Sequence, residues 1–232
     1  MTRAQSLPLL LFDLDGTLLL TSGAGARAMD RAGKRVWGQE FDLSSVNFGG
    51  SLDPVIVRKA IGLARLEFDH AKHLEFRELY CAELRRELAR PNVEAYCLPG
   101  VLPLLEHLRA ARSATLGLLT GNYEETGCQK LMRVGIDPAW FSPRVWGDAA
   151  PTRPDLVRVA MQRQEHATPE NVIVIGDTAR DVHCAKVNGC SVLGVATGPA
   201  SREELLEAGA DRVVDDLSDP TPLLDMIEAC SR

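Results

Sequence analysis

The stretch Leu9-Leu10-Leu11-Phe12-Asp13-Leu14-Asp15-Gly16-Thr17 decides how this chain is read. An uninterrupted apolar run of this length, from Leu9 to Phe12, is the pattern of a β-strand buried on both faces, and such strands belong to parallel sheets covered by helices. The run ends in acid. Side chains alternate along extended backbone, so Asp13 and Asp15 are expected on one side, roughly 6 to 7 Å apart. Gly16 gives the chain freedom for a sharp exit, and Thr17 offers a hydroxyl that can tie down the turn. Taken alone, D-L-D-G-T reads equally well as a polar turn after a strand.

Runs of the same kind recur at Thr115–Leu119, Arg144–Trp146, Val172–Ile175, Val192–Ala196 and Arg212–Val214. Helical periodicity separates most of them. Leu102, Leu105 and Leu108 recur within Pro99–Arg109, and Leu156, Val159 and Ala160 share a face of Asp155–Arg163. Ser201 with Glu204 has the spacing of a capping box. Alternating strands and helices give an α/β fold with a Rossmann-like parallel sheet flanked by helices.

The distance from the first strand to Thr115 exceeds any single crossover, so a separate unit is expected there. Within it Ala24, Ala28 and Ala32 repeat at helical spacing, Ile56, Ala60 and Leu63 share a face, and Leu84 and Leu88 follow Tyr80 at four. These patterns predict an inserted α-helical domain over residues 21–98, with the catalytic core formed by 1–20 and 99–232.

Composition narrows the function. A formal net charge of −6 without a basic run excludes an electrostatic footprint for nucleic acid or an anionic membrane. The apolar start is too short for a signal-peptide core or a membrane span, which makes cytoplasm the default location. The six cysteines are scattered, with no C-x-x-C pair and no clustered histidines, and read as reduced thiols.

Two further motifs stand at strand ends. The run V-I-V-I-G-D ends at Asp177, and Asp181 follows at four, a same-face spacing if a helical turn begins there. Asp13, Asp15, Asp177 and Asp181 are then four carboxylates expected to converge, and crowded carboxylates require a cation or raised pKa values. Oxygen ligands without His or Cys favour Mg²⁺. The alternative for Asp177 and Asp181 is a pair of helix caps. The second motif, Thr120-Gly121-Asn122, offers a hydroxyl and a close backbone approach suited to a small anion such as phosphate. Open α/β sheets bind ligands at such strand ends.

D-x-D-G-T, a strand ending in Thr, and G-D-T-x-x-D together resemble the haloacid dehalogenase superfamily of phosphohydrolases across nearly the whole chain. The insertion resembles the helical cap of its phosphoglycolate phosphatase-like branch, as do Phe48–Pro54 and Leu98–Val101. The resemblance implies Asp13 as a nucleophile that forms an aspartyl-phosphate, and Asp15 as the acid and later the base. It implies Mg²⁺ on the Asp13 side chain, the Asp15 carbonyl and Asp177, with Asp181 nearby, and phosphate on Thr120 and Gly121, beside Asn122. The superfamily places a lysine before a proline ahead of the last motif; here Arg153-Pro154 stands in that position, with Arg180 as a substitute. The expected partner is a small phosphorylated metabolite, and monomer and homodimer both remain open. Phosphomutase chemistry, phosphonate cleavage using Lys34, Lys59 or Lys72, and a non-catalytic binding protein are the rival readings.

Overall fold

A computed structural model describes residues 7–46 and 48–230. The expected core extends to residues 1–6 and 231–232, which lie outside that set. The chain runs β1 (Leu9–Phe12), β2 (Leu19–Leu20), α1 (Ala24–Trp37), α2 (Asp53–Leu63), α3 (His70–Leu88) and β3 (Tyr96–Cys97). It continues with α4 (Val101–Ala111), β4 (Thr115–Leu119), α5 (Glu124–Arg133), β5 (Arg144–Val145), α6 (Arg153–Arg163) and β6 (Val172–Gly176). Last come α7 (Ala179–Val187), β7 (Ser191–Val195), α8 (Arg202–Glu207), β8 (Arg212–Val214) and α9 (Thr221–Cys230).

Six strands form a parallel sheet in the order β5-β4-β1-β6-β7-β8, as the apolar runs predict. Period-two alternation sends Leu10, Phe12, Leu116, Leu118, Ile173 and Ile175 to one face, where α4 and α9 cover them. Leu9, Leu11, Val172, Val174 and Val192 go to the other, against α6 and α7. The end strand β5 is shorter than expected and omits Trp146, which instead packs into the first of these clusters.

The chain leaves β1 for β4 and β5 on one side and returns to β6, β7 and β8 on the other, so strand order reverses around β1. Register does the rest. Phe12 is level with Leu118 of β4 and Ile175 of β6, which brings Asp13, Thr120 and Asp177 to the same end of three adjacent strands.

The insertion has its own core. Ala24, Ala28 and Ala32 let α1 lie close to α3, and Trp37, Phe41, Phe76 and Tyr80 form a chain of aromatic contacts beneath them. Leu63 departs from expectation and is 56% exposed. It is the last residue of α2, and Val57 and Ile61 complete the inner face with Ile56 and Ala60 instead. No helix among the described residues is long and apolar enough to cross a membrane.

Phe76 has no exposed surface. Phe76→Ala should therefore cost about 3–5 kcal/mol through the cavity it leaves, read as a lower midpoint in urea unfolding followed by circular dichroism.

Candidate functional site

The end of the sheet and the underside of the insertion enclose a cavity of about 390 Å³. Asp13, Asp15, Thr120, Gly121, Asn122, Arg153 and Asp177 all line it, so of the site residues singled out in the sequence all but Asp181 share one space, and Asp181 lies behind them. Asp13, Asp177 and Asp181 each offer a carboxylate oxygen within 4.8 Å of the others, and all three are buried.

The fourth acid, Asp15, lines the same cavity but lies outside this triad, its carboxylate taken up by other partners. Lys130 Nζ donates to its two oxygens at 2.9 and 2.6 Å, and Asn122 Nδ2 donates to Oδ2 at 2.8 Å. Three carboxylates therefore converge where four were expected. Thr17 also does more than hold its turn, since its hydroxyl donates to Asp177 Oδ1 at 3.0 Å across the sheet. Gly16 is required at φ +86°, and a Cβ there would stand 2.3 Å from Asp177 Oδ2.

Arg153 is the triad's one cationic partner among the described residues. Its Nη2 reaches Asp13 Oδ2 at 3.0 Å and also pairs with Asp181, while Nη1 donates to Gly50 O at 3.2 Å. Asp181 closes a capping box with Thr178 through its other oxygen, so it is a helix cap and a triad member together. Asp177 has no ion pair among the described residues. Burial, followed by repulsion from Asp13 and Asp181, pushes its carboxyl well above the usual range. Asp13 rises for the same first reason, partly offset by Arg153. An oxygen-only donor set with more negative charge than one guanidinium balances fits a hard divalent cation.

The insertion reaches the core through Phe48–Asp53. Asp53 N donates to Gly121 O at 2.7 Å, and a Cβ on Gly121 would stand 2.1 Å from Ser51 O, so only glycine permits this approach. Arg180 does not line the cavity; it donates to Gly49 O and Ser51 Oγ at the surface and holds the loop from outside. Lys34, Lys59 and Lys72 do not line it either, which removes the lysine that phosphonate cleavage needs from the insertion.

Lys130 and Thr197 are lining residues that the sequence reading missed, and Asp53 entered it only within Phe48–Pro54. Lys130 lies on α5 with Tyr123, Thr126 and Gly127 on one inward face, and that spacing was the available signal. Thr197, whose hydroxyl donates to Gly16 O at 2.6 Å, follows β7 at the same sheet edge. Asp53 opens α2, and its carboxylate accepts from Tyr123 N at 3.1 Å.

The pattern that defines haloacid dehalogenase-like hydrolases matches residues 10–186. The chain belongs to this family. It is 26% identical over 229 residues to a phosphoglycolate phosphatase of Vibrio vulnificus, covering 96% of this chain and 97% of that one. A phosphoglycolate phosphatase of Nitrosospira multiformis is 27% identical over 219 residues, with coverages of 92% and 94%. In fold, the chain is similar to a predicted phosphatase from Clostridium acetobutylicum, with a TM-score of 0.70, 24% identity and coverages of 95% and 99%.

Burial raises the Asp53 carboxyl to about 7, against the opposing pull of Lys130 and the Tyr123 N–H, with Asp15 and Asp148 adding repulsion. A folded-state value above the unfolded one means that ionisation costs stability as pH climbs through that range. Asp53→Asn keeps an acceptor for Tyr123 and removes the penalty. Its stability relative to the parent should improve by on the order of 2 kcal/mol between pH 5 and pH 8, measured by urea unfolding at both.

Proposed function

We propose that this hydrolase is a Mg²⁺-dependent phosphatase that cleaves a small phosphomonoester through an aspartyl-phosphate on Asp13. The observation that carries the reading is the buried triad of Asp13, Asp177 and Asp181 with Arg153 as its one cationic partner among the described residues, set beside Thr120 at the sheet end. The phosphoglycolate phosphatases among its relatives support the reaction class. The insertion over 21–98 acts as a cap on the core of 1–20 and 99–232, and the enzyme works in the cytoplasm.

In this reading an Asp13 oxygen attacks phosphorus while the ester oxygen leaves with a proton from Asp15. Asp15 then takes a proton from the water that hydrolyses the acyl phosphate, which regenerates Asp13 and releases phosphate. Lys130 and Asn122 fix the direction of the Asp15 carboxylate. Thr120 and the Gly121 and Asn122 backbone hold phosphoryl oxygens, and Arg153 orients Asp13 and supplies positive charge beside them. Mg²⁺, held by Asp13, the Asp15 carbonyl and Asp177 with Asp181 nearby, would neutralise charge between two anions as they approach.

Asp13→Asn should abolish hydrolysis of phenyl phosphate, measured with and without Mg²⁺, while circular dichroism remains that of the parent; retained turnover would refute the nucleophile. Arg153→Ala should lower kcat/KM by about 10²-fold or more, on the scale of losing one preorganised electrostatic contact. An unchanged kcat/KM would assign Arg153 a purely structural role.

A further inference from the structure

The wall facing the phosphoryl site decides what leaving group fits, and it is contributed largely by the insertion. Met29, Ile56, Phe48 and Tyr80 make it mostly apolar. Asp53 is the one ionisable residue with a carboxylate on that wall, and no Lys or Arg of the insertion lines the cavity among the described residues. Asn47, the insertion residue outside that set, carries no charge.

The cations that do line the cavity come from the core, and both already hold partners there; the one nitrogen of theirs without a partner, Arg153 Nε, is buried. Lys130 has three ammonium protons, and its Nζ already serves Asp15 Oδ1, Asp15 Oδ2 and, at 2.7 Å, Asn122 Oδ1. Arg153 bridges Asp13 and Asp181 and donates to Gly50 O. Arg27, on the outer side of α1, is held by Glu87 Oε2 at 2.8 Å and does not line the cavity.

We infer that the enzyme selects phosphomonoesters whose leaving group is an uncharged alcohol with an apolar body, and discriminates against carboxylate-bearing leaving groups such as glycolate. The inference rests on the phosphatase reading above and narrows its substrate. A carboxylate entering this chamber loses water, finds no cation on the insertion's wall to replace it and meets Asp53. An uncharged alcohol loses little and gains contact with Met29, Ile56 and Tyr80. The cavity volume of about 390 Å³ lies at the lower end of small-molecule sites, enough for a phosphate and a compact organic group.

The test compares kcat/KM for n-butyl phosphate, phenyl phosphate and 2-phosphoglycolate with Mg²⁺. The neutral esters should exceed 2-phosphoglycolate by about 10²-fold, the scale on which an unpaired buried polar group discriminates. Met29→Lys, which adds a cation to the wall, should shrink that ratio by about tenfold. Because the readout is a ratio within one preparation, partial loss of folded protein cancels. Turnover of 2-phosphoglycolate equal to or above that of the neutral esters overturns this inference and leaves the phosphatase reading standing. Absence of turnover for all three esters overturns the phosphatase reading, and the inference with it.

Discussion

Repulsion among buried carboxylates is the constraint on which the rest of the structure depends. Asp13, Asp177 and Asp181 bring oxygens within 4.8 Å of one another in a region screened from water. At an effective dielectric near 20, two unit charges about 4 Å apart repel by about 4 kcal/mol, so three together cannot ionise without compensation. A flexible loop would relax by moving apart. Strands paired along their whole length cannot, because shifting Asp13 or Asp177 means breaking the β1–β6 ladder that fixes Phe12 opposite Ile175. Rigidity of the sheet holds the charges at a spacing that a cation can resolve.

Arg153 shows how that demand shapes a single residue. One guanidinium nitrogen faces Asp13 and Asp181, and another reaches the Gly50 carbonyl on the insertion. An ammonium is a compact point charge, whereas a planar fork can serve partners in different directions at once. Arginine at this position therefore couples charge balance in the core to placement of the Phe48–Asp53 loop.

How much of this was legible follows from which signals are local. Continuous apolar runs exposed the buried parallel strands, and acids directly after Phe12 and Gly176 marked their ends. The gap before Thr115 set apart the residues that form most of a second hydrophobic cluster. What stayed hidden was side-chain direction beyond the strand. Alternation placed Asp13 and Asp15 on one side, but Gly16 turns the chain at φ +86° and Lys130 draws Asp15 to its own partner. That ion pair spans residues far apart in sequence, and no spacing rule reports it. Leu63 failed for a different reason: helical periodicity names a face, yet a residue at the last turn can lie beyond the surface that the face covers.

The Phe48–Asp53 loop joins two properties that are often treated apart. Its backbone docks on Gly121 and Arg153, and its last residue presents Asp53 to the chamber. Some of the contacts that seat the insertion on the core, beside those of α3 with Tyr123, Glu125 and Asp148, are thus made by the same segment that lines the chamber. Gly121 sits at their junction, pressed against Ser51 on one side and lining the cavity on the other. A larger residue there would displace the loop and the phosphate cradle together. Seating of the insertion and the shape of the chamber are consequently coupled in this protein, because moving the loop off Gly121 and Arg153 also moves Asp53 on the cavity wall.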